Sequence, residues 1–323
     1  MGFIALIFTL LIEQGRPLSA GNPVHRAALG VADFVRSATD AGERRYGALG
    51  WFLVVVPIVI GAALLEWVAA LLHPIAMFVV HVVVLYLTMG FRQFSHAFTE
   101  IQVALAADDA VGARNVLDRW LGRVDADESG DRIVHDVSVT HVCREAIAAA
   151  LIAAHRHVFG PLFWYILLPG VTGPVLYRIA EMLARRWSRP VVEGASRIDE
   201  PYGYFADRAF RVIDWLPARL SAAGFAIVGN FEDAVYCWRG AIAAGTASDS
   251  RALLLASGGG ALGLRIAEPV LEARWAEGDQ GFEWPGAEPD PGSLRSAVGL
   301  VWRSVVLWIS LFAMLTIAAW LGR

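Results

Sequence analysis

Ala48 to Leu65 reads ALGWFLVVVPIVIGAALL, and Pro74 to Phe91 reads PIAMFVVHVVVLYLTMGF. Each stretch reaches the ~18 consecutive apolar residues at which a membrane-spanning helix becomes the default reading, because a helix satisfies its own backbone donors and acceptors in lipid. Only Glu66, Trp67 and His73 break the interval between them, which predicts a helical hairpin. A third block, Ala297 to Leu321, is also long enough to cross; Arg303 lies near its start and Arg323 is placed to snorkel at its end. It reads as a C-terminal anchor.

The fourth block, Val158 to Met182 (VFGPLFWYILLPGVTGPVLYRIAEM), is as apolar but carries Pro161, Pro169, Gly170, Gly173 and Pro174. Prolines remove backbone donors and glycines loosen helical geometry, so this block reads as kinked or re-entrant. The N-terminal run Gly2 to Ile12 is too short to cross alone and ends at Glu13. It has no positive charge ahead of its apolar residues, as a cleaved signal would, so it reads as a retained, partial or interfacial helix. Composition agrees: 323 residues with 56% hydrophobic and 18% charged side chains carry more apolar surface than a water-soluble fold of this size buries. The mean hydropathy is +0.51. The fold class expected is all-α: a polytopic helical membrane protein with about four transmembrane or re-entrant segments and a cytoplasmic helical region.

All 27 basic residues are arginine. A chain without lysine excludes a P-loop, a pyridoxal phosphate Schiff base and a serine-lysine hydrolase. Cys143 and Cys237 lie far apart with no CxxC spacing, which implies neither a metal site nor a disulfide framework. Arg16, Arg26, Arg36, Arg44 and Arg45 precede the hairpin and Arg92, Arg114, Arg119 and Arg123 follow it, so the positive-inside rule places both flanks in the cytoplasm. No basic run points to nucleic acid, and the lipid bilayer is the first partner expected. The chain then divides into 1–91, an N-terminal helix and transmembrane hairpin; 92–157, cytoplasmic amphipathic helices; 158–182, the proline-broken membrane segment; 183–296, a mostly cytoplasmic or interfacial helical region; and 297–323, the anchor. Within the second part, Phe94, Phe98, Ile101 and Leu105 recur at helical spacing, and a further series ends in Trp120 and Leu121. Asp125 to Asp131 reads as a turn, Ile133 to Ala154 as a further helix, and Arg185 to Pro201 and Glu268 to Ser293 as loops.

Few residues announce chemistry. His155 and His157 flank Arg156, with His135 and His141 upstream, but an HxH pair on a helix points to different faces and no carboxylate or cysteine sits at ligand spacing. No metal is expected, and the catalytic residues are not identifiable. His81 lies inside a spanning block and reads as hydrogen-bonded to another helix. Tyr177, Arg178 and Glu181 close the proline-rich block; Arg178 and Glu181 are spaced i,i+3, which suits a helical ion pair. Ionisable groups near membrane depth are costly and tend to line a cavity, which makes these residues and Glu13 candidates for ligand binding. In Asp214-Trp215-Leu216-Pro217-Ala218-Arg219-Leu220 the proline is placed to start a helix, with Asp214 near that helix's N-terminus; Asp214 caps it, or Arg219 anchors an anionic ligand. Ser257 to Gly263 (SGGGALG) departs from GxGxxG and reads as a close-packing helix segment or turn.

Several segments in order resemble the membrane superfamily that contains the cobinamide-phosphate synthases (CobD/CbiB) and the AmpE proteins. They are Leu11-Ile12-Glu13, Pro161-Leu162-Phe163-Trp164-Tyr165, Gly173-Pro174 leading to Tyr177-Arg178, Asp214 to Leu220, and Gly229-Asn230-Phe231. The resemblance implies membership of one of two branches. The synthases join cobyric acid to an aminopropanol phosphate in an ATP-dependent amide-forming step. Their acidic and asparagine-rich motifs are mostly replaced: E-N-x-x-D by Ile152, Ala153 and Arg156, N-T-x-D by Glu181 and Ala184, and an Asp-Asp pair with an asparagine by Phe210, Arg211 and Asp214. The likely carboxylate ligands for ATP and magnesium would be lost, so no cofactor is expected unless that activity is retained. The AmpE-like segments LIE, FWYILLPG and DWLPARL to GNF imply a non-catalytic inner-membrane regulator of β-lactamase induction, linked to cell-wall stress. The reading favoured by the sequence is therefore a multi-pass bacterial inner-membrane sensor with an unknown small ligand or membrane signalling partner. A divergent synthase is the alternative. The ligand-binding candidates are Glu13, Tyr177, Arg178, Glu181, Asp214, Arg219 and Asn230.

Overall fold

The computed structural model describes residues 2–15, 22–122, 138–188, 201–246, 249–266 and 284–322. Arg16, Arg123, the Asp125 to Asp131 turn, His135, the first residues of the helix expected from Ile133, and most of the two later loops (189–200 and 267–283) lie outside the described residues. Among the described residues the chain is helical and has no strand beyond one isolated bridge between Leu264 and Ala287. Contacts divide it into two units, Met1–Gly90 with Gly160–Pro217, and Phe91–Phe159 with Ala218–Arg323.

The first unit opens with α1 (Gly2–Gly15) and α2 (Pro23–Thr39), whose first turn is capped by the Asn22 side chain accepting from the His25 amide at 2.7 Å. Next come α3 (Arg44–Leu72) and α4 (Pro74–Thr88), joined at His73, whose ring Nδ1 accepts from the Ile75 amide at 3.1 Å. One residue thus closes one helix and caps the next, and the hairpin forms. Its second arm is shorter than the apolar run suggested: 15 residues rise about 22 Å, less than the ~30 Å of a hydrocarbon core. Met89 and Gly90 leave the helix before the chain re-enters it at Phe91.

The proline-rich block is divided differently from the expectation. Val139 to Leu167 is one helical run, formed by α7 (Val139–Ala154), a π-helical turn (His155–Phe159) and α8 (Gly160–Leu167). Pro161 follows directly on the π-helical turn inside this run, and the helix continues through it. The break falls instead at Pro169 and Gly170, whose φ of +71° no β-carbon-bearing residue adopts cheaply. A new helix, α9 (Thr172–Trp187), follows, with its polar residues on one face. The boundary expected at residue 158 therefore lies inside a continuous helical run. Among the described residues, three helices are long and apolar enough to cross a membrane: Arg44–Leu72, Val139–Leu167 and Ser293–Leu321. The exposed apolar residues of α3, among them Phe52, Val56, Ile60, Leu64 and Leu71, need lipid rather than water around them.

The core of the first unit joins α2, α3, α9 and the start of α10 (Gly203–Val228): Ala32, Trp51, Val54, Tyr177, Leu183, Trp187, Tyr202 and Phe210 are buried together. Gly47 and Gly50 let α3 approach Tyr202, since a β-carbon at either would lie 2.1 Å from a Tyr202 oxygen.

The second unit contains α5 (Phe91–Ala106) and α6 (Ala110–Leu121), which pack on α7. Phe98, Ile101 and Leu105 are buried, as their spacing predicted; in α6 the buried residues are Ala113 and Leu117, while Leu121 is exposed. Arg114 ties α6 to α7 through Glu145 at 3.1 Å. The paired helices α11 (Phe231–Ala243) and α12 (Ser250–Leu262) follow, and α13 (Ser293–Leu321) packs on α7 and α12. The Ser257 to Gly263 stretch is a close-packing segment: a β-carbon on Gly260 would lie 2.4 Å from the Asp233 carbonyl, and one on Gly258 2.6 Å from Leu151.

Candidate functional site

In the first unit, α9 carries a buried carboxylate between two arginines. Glu181 is 2% exposed and accepts from Arg178 at 3.1 Å and Arg185 at 3.2 Å. The i,i+3 pair expected from the sequence exists, and the i+4 arginine joins it. One buried carboxylate thus holds two guanidiniums on one helix face. From α2, His25 faces this group; burial and then the Arg178 charge hold its imidazole pKa below the ordinary histidine value, with Glu181 opposing. Arg186 and Asp33 fasten the same two helices with two bonds of 2.9 Å.

Tyr177 and Asp214 also come together, the hydroxyl donating to the buried carboxylate at 2.7 Å. Gly160 makes room for the ring, because a β-carbon there would lie 2.2 Å from Tyr177 Cζ. The expectation that Pro217 begins a helix with Asp214 at its N-terminus is corrected: α10 runs unbroken from Gly203 to Val228 with Pro217 inside. A proline leaves the carbonyl four residues back without its helical donor. That carbonyl belongs to Ile213, and the Trp164 indole donates to it at 3.3 Å. Tertiary packing supplies the bond the helix lost, so the helix continues through the proline.

A second network was only partly legible. His81 on α4 bonds the Tyr165 hydroxyl through Nδ1 at 2.7 Å and Glu66 Oε1 through Nε2 at 3.1 Å. Glu66 Oε2 accepts from the Val171 amide at 2.9 Å. Tyr165 also reaches the Gly2 carbonyl at 3.2 Å. Tyr165 has one proton and two acceptors in reach. Which of them it serves is set together with the His81 tautomer. Val171 is the N-cap residue of α9 and provides no side-chain cap, so Glu66 supplies that cap from α3, where the helix dipole favours an anion. The network therefore fixes where α9, and with it the arginine-glutamate cluster, begins. The signal available in the sequence was an ionisable residue in each arm of an apolar hairpin.

The other candidates lie elsewhere. Glu13 is buried on α1. Asn230 caps α11: its Oδ1 accepts from the Asp233 amide at 3.3 Å and its Nδ2 donates to Asp233 Oδ2 at 2.6 Å. Arg219 and Asn230 belong to the second unit, where burial lowers the Arg219 pKa from its ordinary value. His155 is buried in the π-helical turn with Nδ1 2.9 Å from Ser221 Oγ. Among the described residues no group of three histidine, cysteine, aspartate or glutamate side chains stands close enough to hold a metal ion. The buried Glu181 and Asp214 and the half-buried Glu66 are each engaged by other protein groups, so these three do not fit a dedicated magnesium cage.

Comparison with known proteins places this architecture. The family model described as CobD/Cbib protein matches residues 3–301. A protein of Stutzerimonas stutzeri (strain A1501) named Cobalamin biosynthesis protein CobD is 29% identical over 318 residues, covering 95% of both chains. One of the same name from Chromobacterium violaceum is 30% identical over 275 residues, 83% of this chain and 79% of its own. No solved structure gives a significant match. These findings correct the AmpE-like regulatory, non-catalytic reading: the curated relatives carry the cobalamin name. Two of the compared positions keep a buried carboxylate, Glu181 on α9 and Asp214 on α10, so the loss of motif letters overstated the loss of acidic groups.

Proposed function

The chain belongs to the CobD/CbiB family, and from that membership we propose that it acts in cobalamin biosynthesis as a membrane enzyme of the cobinamide-phosphate synthase type. It would join the carboxyl of cobyric acid to the amine of an aminopropanol phosphate, with ATP as co-substrate. The observation that carries this reading is that the likeness to a protein named for cobalamin biosynthesis runs through 95% of both chains. The reaction presents a phosphate monoester and an amine to the protein. Guanidinium pairs suit the first, because their forked donors match phosphate oxygens, and a buried carboxylate suits the second. Arg178 and Arg185 on α9 and Asp214 on α10 are the groups of the first unit with that chemistry. Magnesium would come with the nucleotide, and no step is assigned to it.

The same reading puts the chain in the bacterial inner membrane as a multi-pass protein; the arginines on both flanks of the α3–α4 hairpin support a cytoplasmic side for those flanks. The test is complementation. A strain lacking its synthase and supplied with cobyric acid should regain cobalamin-dependent growth when this chain is expressed. A well-expressed, membrane-inserted copy that gives no growth would overturn the proposal.

A further inference from the structure

At the arginine-rich end of the first unit, aromatic packing joins α3 to α10. Gly47 and Gly50 of α3 admit Tyr202, and Trp51 and Phe52 meet Phe205 with ring centroids 5.7 and 5.8 Å apart. The two helices therefore run side by side in the same direction. Arg44 is the first residue of α3 and stands four residues, about 6 Å, before the apolar stretch that opens at Ala48. Its guanidinium stacks on the Tyr204 ring of α10, 4.4 Å from the centroid. One turn further along α10 is Arg208, exposed like Arg44. Helical side chains lean toward the N-terminus of their helix, so Arg208 reaches back past Tyr204 to the membrane surface rather than into lipid.

The neighbouring charges are paired. Arg45 has Glu43 at 2.7 Å, Arg36 has Asp40 at 3.6 Å and Arg186 has Asp33 at 2.9 Å. Asp207, next to Arg208 in the chain, is taken by Arg211 at 3.0 Å. Deeper in the unit, Arg178 and Arg185 are balanced by Glu181 and by the buried Asp214 that Tyr177 holds. Among the described residues no carboxylate stands within ion-pair distance of Arg44 or Arg208, so two adjacent positive charges are left at the rim of the apolar layer. Just beneath them Leu49, Phe52 and Leu53 of α3 and Val212, Trp215 and Leu216 of α10 are exposed, a face that acyl chains cover.

We infer that Arg44 and Arg208, set about the Tyr204 ring, bind the headgroup of an anionic phospholipid in the leaflet that the arginine-rich flanks face. Stacking on tyrosine holds the Arg44 guanidinium with its forked donors free, and a phosphodiester answers both the fork and the surplus charge. The acyl chains of the same lipid lie against the exposed apolar faces beneath, which a free phosphate leaves uncovered. The surface is separate from the Arg178–Glu181–Arg185 cluster and does not depend on the synthase reading.

The full chain is reconstituted in phosphatidylcholine nanodiscs with and without phosphatidylglycerol, at one ionic strength, and the thermal midpoint is followed by tryptophan fluorescence. Wild type should unfold at a higher temperature when phosphatidylglycerol is present. The gain is read within each protein, so that any cost of a substitution to the fold cancels. R44Q and R208Q should each lose about half of the gain and R44Q/R208Q all of it, while R239Q, a change at an exposed arginine of the second unit, should keep it. Native mass spectrometry of protein released from the mixed discs gives a second reading: retained phosphatidylglycerol should fall about fivefold for each of the two arginines removed. A wild-type gain and wild-type lipid retention in R44Q/R208Q would overturn the contact. So would a loss in R239Q as large as in R44Q, which would make the effect one of overall surface charge. Glycerol 3-phosphate that reproduced the arginine-dependent gain in phosphatidylcholine discs would overturn the lipid in favour of a soluble anion.

Discussion

Replacing Glu66 by alanine removes the acceptor of two partly buried hydrogen bonds at once, from His81 Nε2 at 3.1 Å and from the Val171 amide at 2.9 Å. Leaving a buried donor unmet costs about 1–3 kcal/mol, and interhelical bonds in membranes measure toward the low end, about 0.6–1.7 kcal/mol. Two such losses give roughly 2–4 kcal/mol. The anion at the start of α9 adds about 0.3–1 kcal/mol. E66A should therefore lose roughly 2–5 kcal/mol, which for a chain of this size lowers the unfolding midpoint by about 3–7 °C. The assay is thermal unfolding in detergent, followed by tryptophan fluorescence. Glu66→Gln keeps the shape and one acceptor and should lose about half as much. The cycle with His81 sharpens the reasoning: once Glu66 is gone, H81A removes an orphaned donor, so the two substitutions together should cost about 1–2 kcal/mol less than their sum. An E66A midpoint within about 2 °C of wild type, or strict additivity with H81A, would refute the account of Glu66 as the cap of α9.

Trp164→Phe should destabilise by about 0.5–1.5 kcal/mol through the Ile213 carbonyl, and most of that penalty should vanish in a P217A background, where the helix donates to Ile213 itself; denaturation of the four proteins checks the coupling. Y177F should weaken complementation or slow amide formation while leaving the protein inserted, because Asp214 keeps its place but loses a donor at 2.7 Å; growth curves on cobyric acid beside membrane fractionation measure it. Cys237 is buried and its thiol is pushed up to about 12 by burial and by Asp233, so it stays protonated at neutral pH. Together with the fully buried Cys143 it should resist a charged maleimide in the folded protein and react on unfolding, as mass spectrometry would report.

Particular residues show why some features were legible and others were not. The helices α3 and α13 could be read directly, because bilayer thickness fixes how many apolar residues a span needs, and that requirement is written along the chain. The stripe of Phe98, Ile101 and Leu105 and the Arg178–Glu181 pair were equally visible, since neighbours on a helix surface are set by its period. Pro217 was misread because the rule that proline opens or breaks a helix is local, and Trp164, which lifts it, is distant in sequence. His81 could be expected to bond to another helix, but not which one. The functional misreading came from weighing motif letters: Glu181 and Asp214 stand at compared positions as buried carboxylates, and the half-buried Glu66 lies outside the motifs.

By itself the sequence determined that this chain is helical, lives in lipid and lacks every chemistry that needs lysine, because hydropathy, helical period and composition are properties of the chain alone. Only the tertiary structure decided that α9 starts on Glu66, that Arg185 joins Arg178 on one buried carboxylate, and that Tyr177 meets Asp214. Those pairings depend on which helices lie side by side, and the hydrophobic packing that sets their neighbours carries no direction that a linear pattern records.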